Sequence, residues 1–383
     1  MSPNEFLASV RINWNYARLL LLCGLAVTIL VTAQSHAAAP LKTQNVFLII
    51  SDGFRWQEVF NGAEARLISK ENGVENTNAL RAQFWRETPE ARREALLPFF
   101  WKQIAKQGQL FGNQAKGSRV AVTNGRNFSY PGYNEIATGA PDARVDSNDK
   151  KLNLNTNVFE WLTGRESLRN RVAIFGTWDV FPYIFNIERS HLPIWPGFEP
   201  RFARYEIAVP QYVTDLLRDT TAMWEDLAYD SFLFHAALDY IKQKQPRVMF
   251  LGFGETDEWA HANRYDHYLT AAHHVDEFVR RLWELLQAIP QYREKTTFIL
   301  TADHGRGSGP DWTSHGEKVS GSEGDWIAVI GPDTPPLGER TQTQPHSQSQ
   351  IAATIAALLG ENFRAAFPHV GEPIQDVLAT WPK

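Results

Sequence analysis

Asn45-Val46-Phe47-Leu48-Ile49-Ile50-Ser51 is apolar almost without interruption and stops abruptly at Asp52-Gly53. A strand with one wet face alternates apolar and polar residues. A run that is apolar at successive positions is instead covered on both faces, as in a parallel sheet with helices above and below. Runs of the same kind recur at RVAV (Arg119 to Val122), VAIFG (Val172 to Gly176), VMFLGFG (Val248 to Gly254), TFILTA (Thr297 to Ala302) and WIAVIG (Trp326 to Gly331). Between them the apolar spacing changes to three and four. Helices are predicted over Tyr265 to Ile289, with Leu269, Ala272, Val275, Phe278, Val279, Leu282 and Leu286 on one stripe, over Tyr229 to Gln243, and over Ser349 to Leu359. Strands and helices in alternation predict a three-layer α/β/α sandwich with a mostly parallel central sheet.

Some stretches fit this rhythm poorly. Glu64 to Arg93 is polar and weakly periodic, and Asp142 to Asn157 is rich in Asp, Asn and Lys; both read as excursions near the rim of a site. Phe181 to Arg218, with Pro182, Pro193, Pro196 and Pro200, reads as irregular, and residues 140–240 as a cap insertion.

In open α/β sheets chemistry gathers at the carboxyl ends of the strands. Asp52 follows the first run, Asp257 follows VMFLGFGET, Asp303-His304 follows TFILTA, and His315 lies beyond a loop containing Gly305, Gly307 and Gly309. Carboxylates and imidazoles on rigid strand ends suit a metal site. Asp257 and His261 stand four residues apart, which on a helical turn puts both on one face as two ligands of one ion, or as a salt-bridged surface turn. Ser129 precedes a Pro-Gly turn and an apolar helical stretch. There it either caps the helix or stands as a nucleophile where backbone N–H groups stabilise an anion.

The 383 residues with 43% hydrophobic content suffice for one large α/β domain, and a net charge of -5 without a basic run gives no nucleic-acid surface. Arg11 and Arg18, the apolar run Leu19 to Val31 and the small residues Ser35 and Ala37 mark residues 1–37 as a secretory signal peptide. The run is shorter than a membrane span requires, and retention as an anchor is the alternative. The lone cysteine, Cys23, lies inside it, so a mature chain over residues 38–383 has no thiolate ligand or nucleophile. His273 and His274 read as packed or surface imidazoles, and His346 as part of the entry to the C-terminal helix. Trp178, Trp195 and Trp259 are candidates to line a cleft.

Taken together, IISDGFR (Ile49 to Arg55), FSYPGYNEIATG (Phe128 to Gly139), GETDEWAH (Gly254 to His261), TADHG (Thr301 to Gly305) and SHG (Ser314 to Gly316) resemble the alkaline phosphatase superfamily, in its type I phosphodiesterase and nucleotide pyrophosphatase branch. The motifs occur in the family's order and span most of the mature chain. The resemblance implies two divalent ions, usually zinc. Asp52, Asp303 and His304 are implied as ligands of one, together with Ser129, and Asp257, His261 and His315 as ligands of the other. Ser129 is implied as the nucleophile, through a covalent phospho-serine, and Asn134 as a contact to a phosphoryl oxygen.

The strand end that carries cations in relatives specialised for monoesters here reads Gly176-Thr-Trp-Asp-Val180, which favours a phosphodiester over a phosphomonoester. Arg55, Arg126 and Arg306 are the remaining candidates to grip extra charge. The sulfatase pattern Cys/Ser-x-Pro-x-Arg lacks its arginine in Ser129-Tyr-Pro-Gly-Tyr133. A sulfatase-like ester hydrolase and a non-catalytic metal-binding protein on the same fold are the alternatives. The expectation is a small-molecule phosphoric ester substrate and an exported protein, periplasmic or secreted, without a membrane span once the signal is removed. The oligomeric state is not specified.

Overall fold

A computed structural model describes residues 40–197 and 207–379. The signal-peptide reading of residues 1–37 lies outside the described residues. Within Leu41–Trp381 the chain forms one compact unit.

Its centre is an eight-stranded sheet. The strands are β1 (Asn45–Ser51), β2 (Gln109–Phe111), β4 (Val172–Gly176), β5 (Ile194–Trp195), β6 (Val248–Phe253), β7 (Thr296–Thr301), β9 (Ile327–Ile330) and β10 (Gly338–Glu339), in the order β10-β2-β9-β7-β1-β6-β4-β5. All run parallel except β9, which is antiparallel to both β7 and β2. A small second sheet contains β3 (Val120–Ala121), β8 (Gly324–Asp325) and β11 (His346–Ser347).

Every residue of β1 is buried. Successive side chains leave a strand on opposite faces, so Phe47 and Ile49 join one core while Val46, Leu48 and Ile50 join the other. The helices that cover these cores, in chain order, are α1 (Ser129–Thr138), α2 (Asp230–Lys244), α3 (Glu255–His261), α4 (Tyr265–Ala288) and α5 (Ile351–Leu358). α2 and α4 pack on the first core, and α1 and α5 on the second. This is the α/β/α sandwich expected from the sequence. None of the described helices is long and apolar enough to cross a membrane.

Three readings need correction. RVAV contributes only β3 of the small sheet, because the chain pairs there with Gly324–Asp325 and His346–Ser347 rather than with a central strand. Glu64 to Arg93 is not a rim excursion. It holds the helix Thr77–Phe84 and the start of the helix Pro89–Leu96, capped by Asn76 and Thr88, and these helices bury Leu80, Phe84 and Leu96 in the α4 core. Their apolar stripe is narrow, hence the polar appearance. Residues 140–240 do not form a continuous cap either: β4 and β5 are strands of the main sheet, and Phe181, Ile184, Phe185 and Ile187 are core residues.

Candidate metal centre and active site

The strand ends converge as the sequence implies. β1 delivers Asp52, β6 leads through Gly254 into α3 with Asp257 and His261, and β7 delivers Asp303 and His304. Neighbouring ends are tied together: the Thr256 hydroxyl donates to the Asp52 carbonyl at 2.6 Å, and the Gly53 N–H donates to Asp303 Oδ1 at 3.0 Å. Gly53 holds φ +58, and a Cβ there would run into the Asp257 carboxylate. Gly132 serves the same end inside α1, where a Cβ would strike the Asp303 backbone carbonyl. Its absence lets the helix that starts at Ser129 sit directly on the β7 end.

Two donor groups result. Asp52, Asp303 and His304 form one, and Asp257, His304 and His315 the other, each with ligand atoms within 4.8 Å of one another. His304 Nε2 lies 3.4 Å from Asp52 Oδ1, 3.6 Å from Asp303 Oδ2 and 3.8 Å from Asp257 Oδ1. Ser129 Oγ is 3.4 Å from the same nitrogen. His261 joins the second group, with its Nε2 3.0 Å from both Asp257 Oδ2 and His315 Nε2.

The chemistry of these donors fits a cation. Asp52 Oδ1 and Asp303 Oδ2 are buried without a hydrogen-bond partner, a costly state for carboxylate oxygens unless positive charge faces them. His304 and His315 place their Nδ1 atoms against the carbonyls of Gly305 (2.9 Å) and Asn127 (3.1 Å). With Nδ1–H donating, each Nε2 presents its lone pair inward, as metal-bound imidazoles do. Burial and the charge of Asp52 push the Asp303 carboxyl well above the usual range. Burial opposes a charge on His304, but Asp303, Asp52 and Asp257 outweigh it and lift its pKa to about 10. Burial also opposes the charge of Asp257, yet Arg306 and the nearby imidazoles hold it well below the usual range.

Ser129, Asp52, Asp257, His261 and His315 open onto a pocket of about 150 Å³ whose wall is completed by Asn148, Trp178, Asp226, Leu227, Gly254 and Glu258. Asn148 holds the start of α1 by accepting from the Tyr130 N–H at 3.0 Å. Glu258 is pushed up to about 8 by burial and by the charges of Asp257, Asp226 and Asp52.

Asn134 is not in this pocket. It is fully buried, donating to the Ala140 carbonyl and accepting from Asn153 (2.9 Å) and Asn155 (3.1 Å). Five residues after Ser129 it is turned roughly 140° away around the helix, whereas Tyr133, at roughly 40°, faces the centre. Tyr133 donates to Asp52 Oδ2 at 2.8 Å. Tyr133 lies inside the FSYPGYNEIATG motif and Arg306 directly follows TADHG, but nothing in their spacing marks them as partners of these carboxylates. Of the tryptophans, Trp178 lines the pocket, Trp195 is buried against Phe175, and Trp259 packs on Trp224. His273 bonds the Leu96 carbonyl and His346 bonds Gln350.

Residues 127–361, more than half of the chain, match the sulfatase family model. No curated protein matches in sequence. Among solved structures the chain is similar to the lipoteichoic acid synthase LtaP from Listeria monocytogenes (10% identity, 88% of this chain and 75% of that one, TM-score 0.54). It is also similar to the phosphonate monoester hydrolase SpPMH from Silicibacter pomeroyi (15%, 89% and 78%, 0.53) and to a mutant of the alkaline phosphatase PafA (12%, 90% and 100%, 0.51). At these identities the likeness is one of fold, and it covers 88–90% of this chain. With the donor groups at its strand ends and the matched residues running from just before Ser129 to beyond His315, the chain belongs to the sulfatase family, within the alkaline phosphatase superfamily of sulfate- and phosphate-ester hydrolases.

Proposed function

We propose that the protein is an exported, metal-dependent hydrolase of singly charged phosphoric esters, preferring diesters to monoesters, with Ser129 as nucleophile. The observation that carries the preference is the charge of the pocket wall. Asp226 lines it together with Glu258, whose raised pKa of about 8 leaves Asp226 as the wall's main charge at neutral pH, and no lysine or arginine lines it among the described residues. The three arginines that the sequence left as candidates are committed elsewhere. Arg55 is fully buried on Glu58 and the Gly307 carbonyl, Arg306 is fully buried on Asp257 and the Thr313 carbonyl, and Arg126 pairs with Glu317. A dianionic monoester would meet Asp226 with no lysine or arginine on the wall to face its second charge; a monoanion loses less.

Asp52, Asp303 and His304 with Ser129 would hold one divalent ion, and Asp257, His261 and His315 the other. Zinc suits these nitrogen and oxygen donors. When bound, such ions supply positive charge for the attacking and departing oxygens. Ser129 Oγ bonds to phosphorus as the ester oxygen departs, and the hydroxyl proton leaves with the alcohol. Water then cleaves the phospho-serine, restoring Ser129 and giving the second product its proton. α1 holds Oγ at the pocket floor, and Asn148 keeps the first turn of that helix in place.

The test is turnover of bis(4-nitrophenyl) phosphate, 4-nitrophenyl phosphate and 4-nitrophenyl sulfate. The diester is expected to be fastest. A faster sulfate would move the assignment to the sulfatase alternative, and a faster phosphomonoester would overturn the charge argument. Ser129→Ala is expected to lower turnover by several orders of magnitude and to abolish a phosphate-sized mass increment on the quenched enzyme. Metal analysis of active protein is expected to find about two ions per chain, and active protein with none would exclude the centre. Export rests on the sequence of residues 1–37, and N-terminal sequencing of the secreted or periplasmic protein checks it.

A further inference from the structure

We infer that Tyr133 is a positioning residue that fixes which oxygen of Asp52 faces the centre and ties that carboxylate to the nucleophile's helix. The inference rests on the metal-centre reading above. Tyr133 stands four residues after Ser129, one turn on and on the same side of α1. It is 2% exposed, and its ring is wedged edge-on against Phe181, with centroids 4.9 Å apart, and against Phe250 at 6.0 Å. That packing leaves the hydroxyl one destination, Asp52 Oδ2 at 2.8 Å.

The consequence lies in the other oxygen. With Oδ2 accepting from Tyr133, Asp52 cannot rotate to offer both oxygens to one cation, and Oδ1 is left buried without a partner, 3.4 Å from His304 Nε2. The phenol therefore selects single-oxygen binding by Asp52. Because Tyr133 and Ser129 share one helix turn, the same bond sets the distance from Oγ to the carboxylate end of β1. Outer partners of this kind change metal affinity about 10- to 100-fold when removed.

Tyr133→Phe keeps the ring and deletes only the hydroxyl. Zinc affinity, measured by competition with a chromophoric chelator on the full chain, is expected to weaken about tenfold. At saturating zinc, kcat for the diester is expected to fall while KM stays unchanged, because the pocket wall is untouched. Thermal unfolding of the zinc-free variant is expected to match the parent. Zinc affinity equal to the parent's would overturn the positioning role, and an unchanged kcat at saturating zinc would overturn the link to Ser129. A loss of zinc-free stability with unaltered affinity would overturn it too, by marking Tyr133 as packing only. Ser129→Ala, measured alongside, separates the two readings. If it stays active, the nucleophile assignment fails while the zinc-affinity result on Tyr133 still stands or falls on its own.

Discussion

His261 and His315 face one another across 3.0 Å through their Nε2 atoms, one presented by a helix and the other by a loop. Two neutral imidazole lone pairs at that distance repel unless a proton or a metal ion lies between them. Their shared partner Asp257, 3.0 Å from His261 and 3.9 Å from His315, points to the ion. Replacing either histidine by Gln is expected to lower metal content from about two ions to about one per chain and to reduce kcat at least 100-fold. Elemental analysis and steady-state kinetics on the same preparation check this, and unchanged metal content would remove both residues from the centre.

Arg306 donates to Asp257 from a fully buried position and also reaches its backbone carbonyl. Arg306→Met strips the buried Asp257 carboxylate of its arginine counter-charge and leaves only imidazoles beside it. The expected loss of stability in the metal-free protein is about 3–5 kcal/mol, read from denaturant unfolding. A change below about 1 kcal/mol would show that the pair is solvated and structurally idle.

Gly132→Ala opposes two rules. Helix propensity favours Ala inside a helix by about 1 kcal/mol, but here the added methyl group meets the Asp303 carbonyl. The steric term is expected to win, lowering both thermal stability and metal affinity as α1 is pushed off the β7 end. A variant that melts higher and binds zinc normally would refute the close approach.

Asp325 is buried, accepting from Thr301 and Gln348 while its Oδ1 has no partner. Burial raises its pKa from 3.8 to about 7, against the pull of those hydrogen bonds. The native state thus binds a proton that the unfolded chain has released between these values, so this contribution to stability is complete below about pH 4 and is lost as pH rises towards 7. The slope approaches about 1.4 kcal/mol per pH unit. Unfolding of the parent and of Asp325→Asn at pH 4.5, 6 and 7.5 is expected to show the parent losing stability relative to the variant across this window. Parallel curves would mean that Asp325 is ionised throughout.

The sequence was most legible where burial acts on both faces of a long strand. β1 and β4 have the predicted bounds, and α4 stops where Pro290 required. Strands of two or three residues such as β2, β5 and β10 escaped, because pairing with neighbours defines them and so short a stretch carries no pattern. At the site, the strand-end rule brought Asp52, Asp257, Asp303 and His304 to one edge, and the loop after β7 brought His315. Asn134 failed because a motif slot gives a residue's place along a helix but not its direction around it. Arg306 and Tyr133 were invisible as partners, since an ion pair or a hydrogen bond across the fold leaves no trace in local spacing.

The hydrogen bond from Gly53 to Asp303 joins residues 250 positions apart, and the Thr256 bond to Asp52 spans 204. Contacts this distant in sequence form late, because a long loop must close before they repay its entropy. During synthesis, no fragment that ends before the SHG motif contains the full ligand set, and even a complete chain lacks it until β1 has slotted between β6 and β7. Metal uptake at the complete centre is thus a report on finished folding. Before the sheet closes, a nascent chain presents only scattered ligands and offers metal ions no preformed centre.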